Sequence, residues 1–446
     1  MSDTSYGKGK RVSPEEVHDV LDKHMLIDGY PIVFDLDKSH GSWLVNSLDG
    51  KEYLDFFTFF ASGAIGHNHP GLFEDDFLNE LTKVAVNKVS NSDLYTTQMA
   101  EFVETFSEIA APDYLPNLFF VSGGALAVEN ALKAAFDWKV QKNKEKGIEG
   151  EIGQKVIHFK EAFHGRTGYT MSLTNTDPTK IRFFPKFDWP RVENPKVKFP
   201  LEENIDEIKA AEKRAIDSIE KFVADDADDI AAIIIEPIQG EGGDNHFRRE
   251  FFQQLRRIAD DNEIILIFDE VQTGLGITGK MWAHQHYGVN PDILAFGKKT
   301  QVCGIMAGNR LNEVDGVFKV SGRINSTWGG NIVDMYRAKR ILEVIEQDKL
   351  VENASKMGTL LQKGLEKVQS ENPNVILNAR GLGLFCAFDL KDGETRDKVV
   401  DKLFEKGLFI LKCGPSTIRF RPPLNVSEEE IDKALEILAA TIEDIK

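Results

Sequence analysis

Residues 231–271 read AAIIIEPIQGEGGDNHFRREFFQQLRRIADDNEIILIFDEV. Two short, continuously apolar runs, AAIII and IILIF, bracket a segment in which Phe247, Phe251, Leu255 and Ile258 recur at the helical spacing. Apolar runs of this length without polar alternation suit strands that helices cover on both faces. A strand, a helix and a second strand joined by a right-handed crossover lie parallel in one sheet. The same run type recurs in LFFVSG (118–123), KVIHFK (155–160) and DILAFGK (292–298). The reading is an α/β protein with an open, mostly parallel sheet flanked by helices.

Both ends carry helix signals. VSPEEVHDVL (12–21) offers Ser13 as N-cap, Pro14 at the first helical position and Glu16 to close a capping box, with Val12 set to staple onto Val17. VSEEEIDKALEILAATI (426–442) repeats the device with Ser427, Glu430, Val426 and Ile431, and places Ile431, Leu435, Leu438 and Ile442 on one face. Residues 186–230 are richer in proline and charge, and read as a surface excursion with one amphipathic helix around EIKAAEKRAIDSIEKF.

A chain of 446 residues has no difficulty building a core, since an α/β domain within it could bury roughly 75% of its unfolded surface. Its 54 basic and 72 acidic residues leave a formal charge of −18 without any basic cluster, which argues against a nucleic-acid partner. Cys303, Cys386 and Cys413 are too few and too scattered for a disulfide framework or a zinc site, and read as reduced thiols of a cytoplasmic protein. The opening MSDTSYGKGKRV has no apolar leader, and no apolar run reaches about 18 residues, so neither secretion nor membrane insertion is expected.

Ligands of open α/β sheets sit beyond the carboxyl ends of the strands. Here those ends carry Glu236, then Asp269 and Glu270, then Lys298 and Lys299, while KVIHFK leads into EAFHGR. VSGGALAVENALKAAF (121–136) adds an anion site, because the helix after Gly123 and Gly124 points its unpaired N–H groups at that turn. A phosphate cradle, an acid and a lysine at neighbouring strand ends have one chemical reading that uses all three. Pyridoxal phosphate needs its phosphate held, its aldehyde bound by a lysine as a Schiff base, and a carboxylate at its ring nitrogen. Periodicity leaves open which of the two lysines serves.

These residues resemble the class-III, fold-type-I pyridoxal-phosphate aminotransferases over nearly the whole chain. The landmarks are FFASGAIGHNHP, FVSGGALAVENALKAAFDW, FHGRTGYT, IIIEPIQGEGGDNHF, IFDEVQTGLGITG, FGKKTQVCG, INSTWGGN and IRFRPPLN, in family order. Within the class, FTFFAS, GGALAVENALK, GKKTQVCG and RFRPPL are most similar to the branch that moves the ε-amino group of L-lysine to 2-oxoglutarate. The resemblance implies a large cofactor domain (61–320) and a small α+β domain assembled from both ends (1–60 and 321–446). It implies Lys299 as Schiff-base lysine and proton shuttle, with Lys298 as the fallback. Asp269 would hold the ring nitrogen, Gln272 the phenolic oxygen, and Val271 and Phe163 the two ring faces. Gly124 and Ala125 would donate to the phosphate, and Thr327 would reach the phosphate of a partner subunit, which implies a homodimer.

Lysine presents a terminal amine with its carboxylate remote, whereas glutamate carries a carboxylate beside the reacting amine. The resemblance implies that Glu241 neutralises Arg421 while lysine is bound and swings aside for glutamate, with Arg166 on the remote carboxylate. Phe60 stands where ornithine-acting relatives have a tyrosine, which weakens the ornithine reading; another ω-aminotransferase, acting on ornithine or 4-aminobutyrate, stays the alternative within the class. Ile277 stands where an arginine is common, and Cys303-Gly304 replaces Gly-Gly; the lysine branch shares both departures. The rival outside the class is an NAD-dependent oxidoreductase, because GLGITG satisfies G-x-G-x-x-G at Gly274, Gly276 and Gly279. Pro291 stops the segment after it before a full helix could pack. His67, His69, His284 and His286 lack a ligand framework and read as packing or surface residues, not metal ligands.

Overall fold

The computed structural model describes residues 11–445. The first ten residues, where the sequence shows no apolar leader, and Lys446 lie outside the described residues. All five apolar runs form strands. A seven-stranded sheet runs in the order Asn117–Val121, Cys303–Ala307, Ile293–Phe296, Ile265–Asp269, Ile230–Ile235, Lys155–Phe159, Arg191–Val192. From Ile293–Phe296 to Arg191–Val192 every neighbouring pair is parallel, while Cys303–Ala307 is antiparallel to both of its neighbours. The short loop 297–302 explains that reversal: it can close a hairpin, whereas a parallel return needs a crossover of a dozen residues or more.

The quoted stretch folds as its pattern demands. Ile265–Asp269 pairs with Ile230–Ile235 in register Ala232 to Ile265 through Ile235 to Phe268. Side chains alternate between the two faces. Ile233, Ile235, Leu266 and Phe268 pack with Phe247, Phe251, Leu255 and Ile258 of the helix Arg249–Asp261 and its approach. Ala232, Ile234, Ile265 and Ile267 pack on the other face with Val128, Ala131, Leu132 and Ala135 of the helix Gly124–Glu145. Each fully buried Ile or Phe contributes roughly 1.5–3 kcal/mol, and Phe251→Ala would open a cavity costing about 3–5 kcal/mol.

The surface excursion carries the helix Leu201–Asp226. At the N-terminus Glu16 Oε2 accepts from the Ser13 N–H at 3.1 Å, and a 3-10 turn, Pro14–Glu16, leads into Val17–Asp22. The Ser427 and Glu430 box caps Glu428–Glu443, which buries Ile431, Leu438 and Ile442. Trp43–Val45, Glu52–Asp55 and Leu408–Phe409 form a three-stranded sheet from both ends of the chain. A second small sheet orders Leu377–Leu382, Phe385–Asp389, Thr417–Phe420 and Leu411–Cys413, all antiparallel. Among the described residues no helix is long and apolar enough to cross a membrane.

Candidate active site

The parallel strands end at one rim, and a cavity of about 320 Å³ opens there. That is within the usual volume of small-molecule sites, about 300–1,000 Å³. Its floor is the first turn of the helix Gly124–Glu145, reached through Gly124 and Ala125. The residue before that helix is Gly123, at φ 115°, so no side chain caps the first N–H groups. Anions are drawn to such a terminus. A Cβ on Gly124 would meet Val271 Cγ1 at 2.9 Å, and one on Gly165, at φ +115°, would meet Ala125 Cβ at 2.4 Å. The FHGR loop and Val271 therefore close on the helix start as tightly as backbone allows.

Asp269 ends its strand beside the cavity. Its Oδ2 accepts from His164 Nδ1 at 2.7 Å, and both side chains are buried. Burial opposes charge on His164, but the hydrogen bond and charge of Asp269, with Glu236 beyond, outweigh it and raise the imidazole's pKa. His164 belongs to the FHGR landmark, yet its role is absent from the sequence reading. The signal available was a histidine one residue after the candidate stacking ring, within reach of an acid only once two strand ends are neighbours. Glu236 also borders the cavity, accepting from the Phe163 N–H at 3.0 Å and the Gly240 N–H at 3.1 Å. Burial pushes its carboxyl up to about 7; the His164 charge opposes this and Asp269 adds to it.

The lysine pair resolves against the sequence expectation. Lys298 lines the cavity, and Lys299 does not. Lys299 is buried, and its Nζ donates to the Ala61 carbonyl at 2.6 Å. The physical reason is the backbone after the strand: Gly297 is extended and Lys298 takes φ 54°, a left-handed residue that turns consecutive side chains to different sides. Burial, with Arg419 close by, lowers the Lys298 amine to about 8, against the pull of Glu241. Burial, Arg421 and Lys298 together depress Lys299 well below the ordinary lysine value.

The arginines also exchange places. Glu241 Oε2 accepts from Arg419 NH2 at 2.8 Å, whereas Arg421 NH2 donates to Asp244 Oδ1 at 2.6 Å in a pair with no exposed side-chain surface. The pairing of Glu241 with Arg421 is thus corrected to Arg419. Arg421 is locked where the chain leaves the strand Thr417–Phe420, its guanidinium 3.3 Å from the Phe385 ring centre. Both arginines reach Gln272 Oε1, Arg419 at 3.3 Å and Arg421 at 3.1 Å, and Gln272 lines the cavity. Against the upward push of burial, Arg419 and Lys180 hold the Glu241 carboxyl below its usual range.

Phe163, Arg166 and Val271 line the same cavity. Phe60 and Thr327 do not: Phe60 is exposed, edge-on to Phe57 at 4.8 Å, and Thr327 is exposed, its carbonyl accepting from Ser90 Oγ at 2.6 Å. In the GLGITG segment Gly274 is pressed on Trp282, and only a 3-10 turn, Ala283–His286, follows where a dinucleotide site needs a helix. His67 bonds Asp55 at 2.9 Å and His284 bonds Glu270 at 2.7 Å. The three cysteines are free thiols.

An uncapped helix start, an acid backed by histidine, a lysine with a lowered pKa, and Phe163 and Val271 on the wall of one cavity suit pyridoxal phosphate, which needs an anion cradle, an acid, an amine and apolar cover. The comparisons with known proteins agree. The profile of the family described as Aminotransferase class-III matches residues 27–442. The L-lysine-epsilon aminotransferase of Mycobacterium tuberculosis (strain ATCC 25618 / H37Rv) is 52% identical over 429 residues, 96% of this chain and 95% of that one. That of Streptomyces clavuligerus is 50% identical over 432 residues, covering 96% and 94%. A solved structure of the lysine aminotransferase from M. tuberculosis superposes with a TM-score of 0.96 at 50% identity, over 98% of this chain and 100% of the other. A match that spans both small sheets and every strand of the large one settles the family: the chain belongs to the class-III aminotransferases, which are pyridoxal-phosphate enzymes.

Proposed function

We propose that the protein transfers the ε-amino group of L-lysine to 2-oxoglutarate, giving 2-aminoadipate 6-semialdehyde and L-glutamate. The observation that carries this reading is the Glu241–Arg419 pair beside the cavity. Lysine enters amine first and meets an arginine already neutralised. Glutamate and 2-oxoglutarate carry a carboxylate next to the reacting carbon and need that arginine bare. A pair whose carboxylate keeps 26% of its surface exposed can do both: closed it is neutral, opened it offers a cation. Arg166, on the cavity wall, would hold the remote carboxylate of either substrate. The identity with lysine-acting relatives supports lysine over ornithine or 4-aminobutyrate.

Bound in the cavity, pyridoxal phosphate supplies an aldehyde carbon to carry the amino group and a ring that spreads the charge left when the substrate carbon loses its proton. The chain's residues do the rest. Gly124 and Ala125 would hold the phosphate at the helix start, and Asp269, fixed by His164, the ring nitrogen. Phe163 and Val271 would cover the ring faces, and Gln272 would reach the phenolic oxygen. Lys298 would hold the aldehyde carbon through Nζ. With its amine free, Lys298 would take the proton from the substrate carbon and hold it at Nζ until it is given back within the site. That requires a neutral amine near pH 7, which its lowered pKa favours.

The same reading carries a cytoplasmic homodimer in which Thr327, exposed and outside its own chain's cavity, reaches the partner's cofactor, and a division into 61–320 and a small domain of 1–60 with 321–446. The test is an amine panel. Mixed with the holoenzyme without oxoacid, L-lysine should bleach the cofactor's visible band faster than ornithine or 4-aminobutyrate. Faster bleaching by either of those would replace lysine as the donor.

A further inference from the structure

Glu241 has two cations. Its Oε1 accepts from Lys180 Nζ at 2.6 Å while its Oε2 accepts from Arg419 NH2 at 2.8 Å. They arrive from different parts of the fold. Arg419 projects from the strand Thr417–Phe420 and is buried. Lys180 ends the 3-10 turn Pro178–Lys180 and keeps 25% of its side chain exposed. Asp177 pins that turn, its Oδ1 accepting from the Thr179 N–H at 2.8 Å. The Lys180 ammonium also stands 5.4 Å from the centre of the Phe163 ring, so it lies at the cavity's edge.

A carboxylate that leaves a buried guanidinium without a new partner is an uncompensated charge in a partly dry place, which is costly. Opening the Glu241–Arg419 pair therefore needs a second cation on the side to which Glu241 moves. Lys180 already holds the other carboxylate oxygen. Its four-carbon stem and rotatable ammonium allow it to follow the carboxylate outward, as a rigid guanidinium fork would not.

We propose that Lys180 is a positioning and specificity residue that receives the Glu241 carboxylate when Arg419 is freed, so that one site accepts both lysine and a substrate with a carboxylate beside its reacting carbon. The proposal rests on the transaminase reading above and concerns the oxoacid half of the reaction. Without the Lys180 charge, Glu241 is left with Arg419 alone and the closed pair becomes the stable one.

The experiment follows the two half-reactions of the holoenzyme separately by stopped-flow spectroscopy. Lys180→Met should raise the half-saturating 2-oxoglutarate concentration by about tenfold, the scale of one charge-assisted hydrogen bond. The lysine half-reaction should change by less than about twofold, and Lys180→Arg should restore most of the loss. Adding Lys180→Met to Glu241→Gln should have no further effect, since the two act as one unit. Equal loss in both half-reactions, no loss in either, or a loss that persists in the Glu241→Gln background would overturn the proposal. Failure of the unmutated enzyme to react with lysine at all would instead overturn the transaminase reading, and that result is read before any variant is made.

Discussion

His164 Nδ1 lies 2.7 Å from Asp269 Oδ2, and the pair is sealed from solvent. A buried acid proposed to serve a ring nitrogen is only as well aimed as the group behind it. Replacing His164 by Phe should lower kcat by about 10- to 100-fold, the range expected for a hydrogen bond to a charged group. The lysine KM should change little, because His164 bonds Asp269 and not Arg166, Arg419 or Glu241, the residues proposed to meet substrate carboxylates. Steady-state kinetics check this, and an unchanged kcat would show that His164 does not support Asp269 in the reaction.

Arg419 and Arg421 should separate by phenotype. Arg421→Met leaves Asp244 buried without its cation and should destabilise the fold by about 3–5 kcal/mol, read as a lowered Tm. Arg419→Met should leave Tm closer to that of the parent and weaken 2-oxoglutarate far more than lysine. If Arg421→Met gave the oxoacid defect at full stability, the assignment of the two arginines would be reversed.

Gly165→Ala should weaken cofactor retention. The added methyl would stand 2.4 Å from Ala125 Cβ at a residue whose φ is +115°, so the FHGR loop must back away from the helix start. A loss of about tenfold in pyridoxal-phosphate affinity is expected, comparable to one lost charge-assisted bond. Equilibrium dialysis of the resolved protein measures it.

The pH dependence of cofactor uptake follows from Lys298. Below its pKa of about 8 the amine is an ammonium without a lone pair, and above it the free amine can attack the aldehyde. The recombination rate of apoprotein with pyridoxal phosphate should therefore rise with pH through a midpoint near that value. The sign for stability is the same. The unfolded lysine keeps its proton to its ordinary value of 10.5, so the unfolded chain binds more protons between about 8 and 10.5, and apoprotein stability gains from this residue as pH rises across that window. A rate that stays flat across pH 8 would contradict it.

The strands and most of the site were legible because they rest on short-range regularities. Unbroken apolar runs became strands, Ser427 and Glu430 became a capping box, and Glu236, Asp269 and Lys298 at the strand ends converged on one cavity. The rest depended on where a chain turns once it leaves its strand. Lys298 and Lys299 are adjacent, and a single left-handed residue decides which faces the cavity. Arg419 and Arg421 do share a face, as their spacing requires, and both reach Gln272. Their carboxylates come from one loop, Glu241 and Asp244, and three residues of that loop decide which arginine is masked and which is structural. His164 and Lys180 were invisible for the same reason: each acts on a partner brought near only by the sheet order.

The most direct test of the account is the identity of the lysine that carries the cofactor. Borohydride reduction of the holoenzyme, followed by proteolysis and mass spectrometry, should place the pyridoxyl group on Lys298. A pyridoxyl group on Lys299 would contradict the geometry on which the site, its pH dependence and its proton transfer all depend.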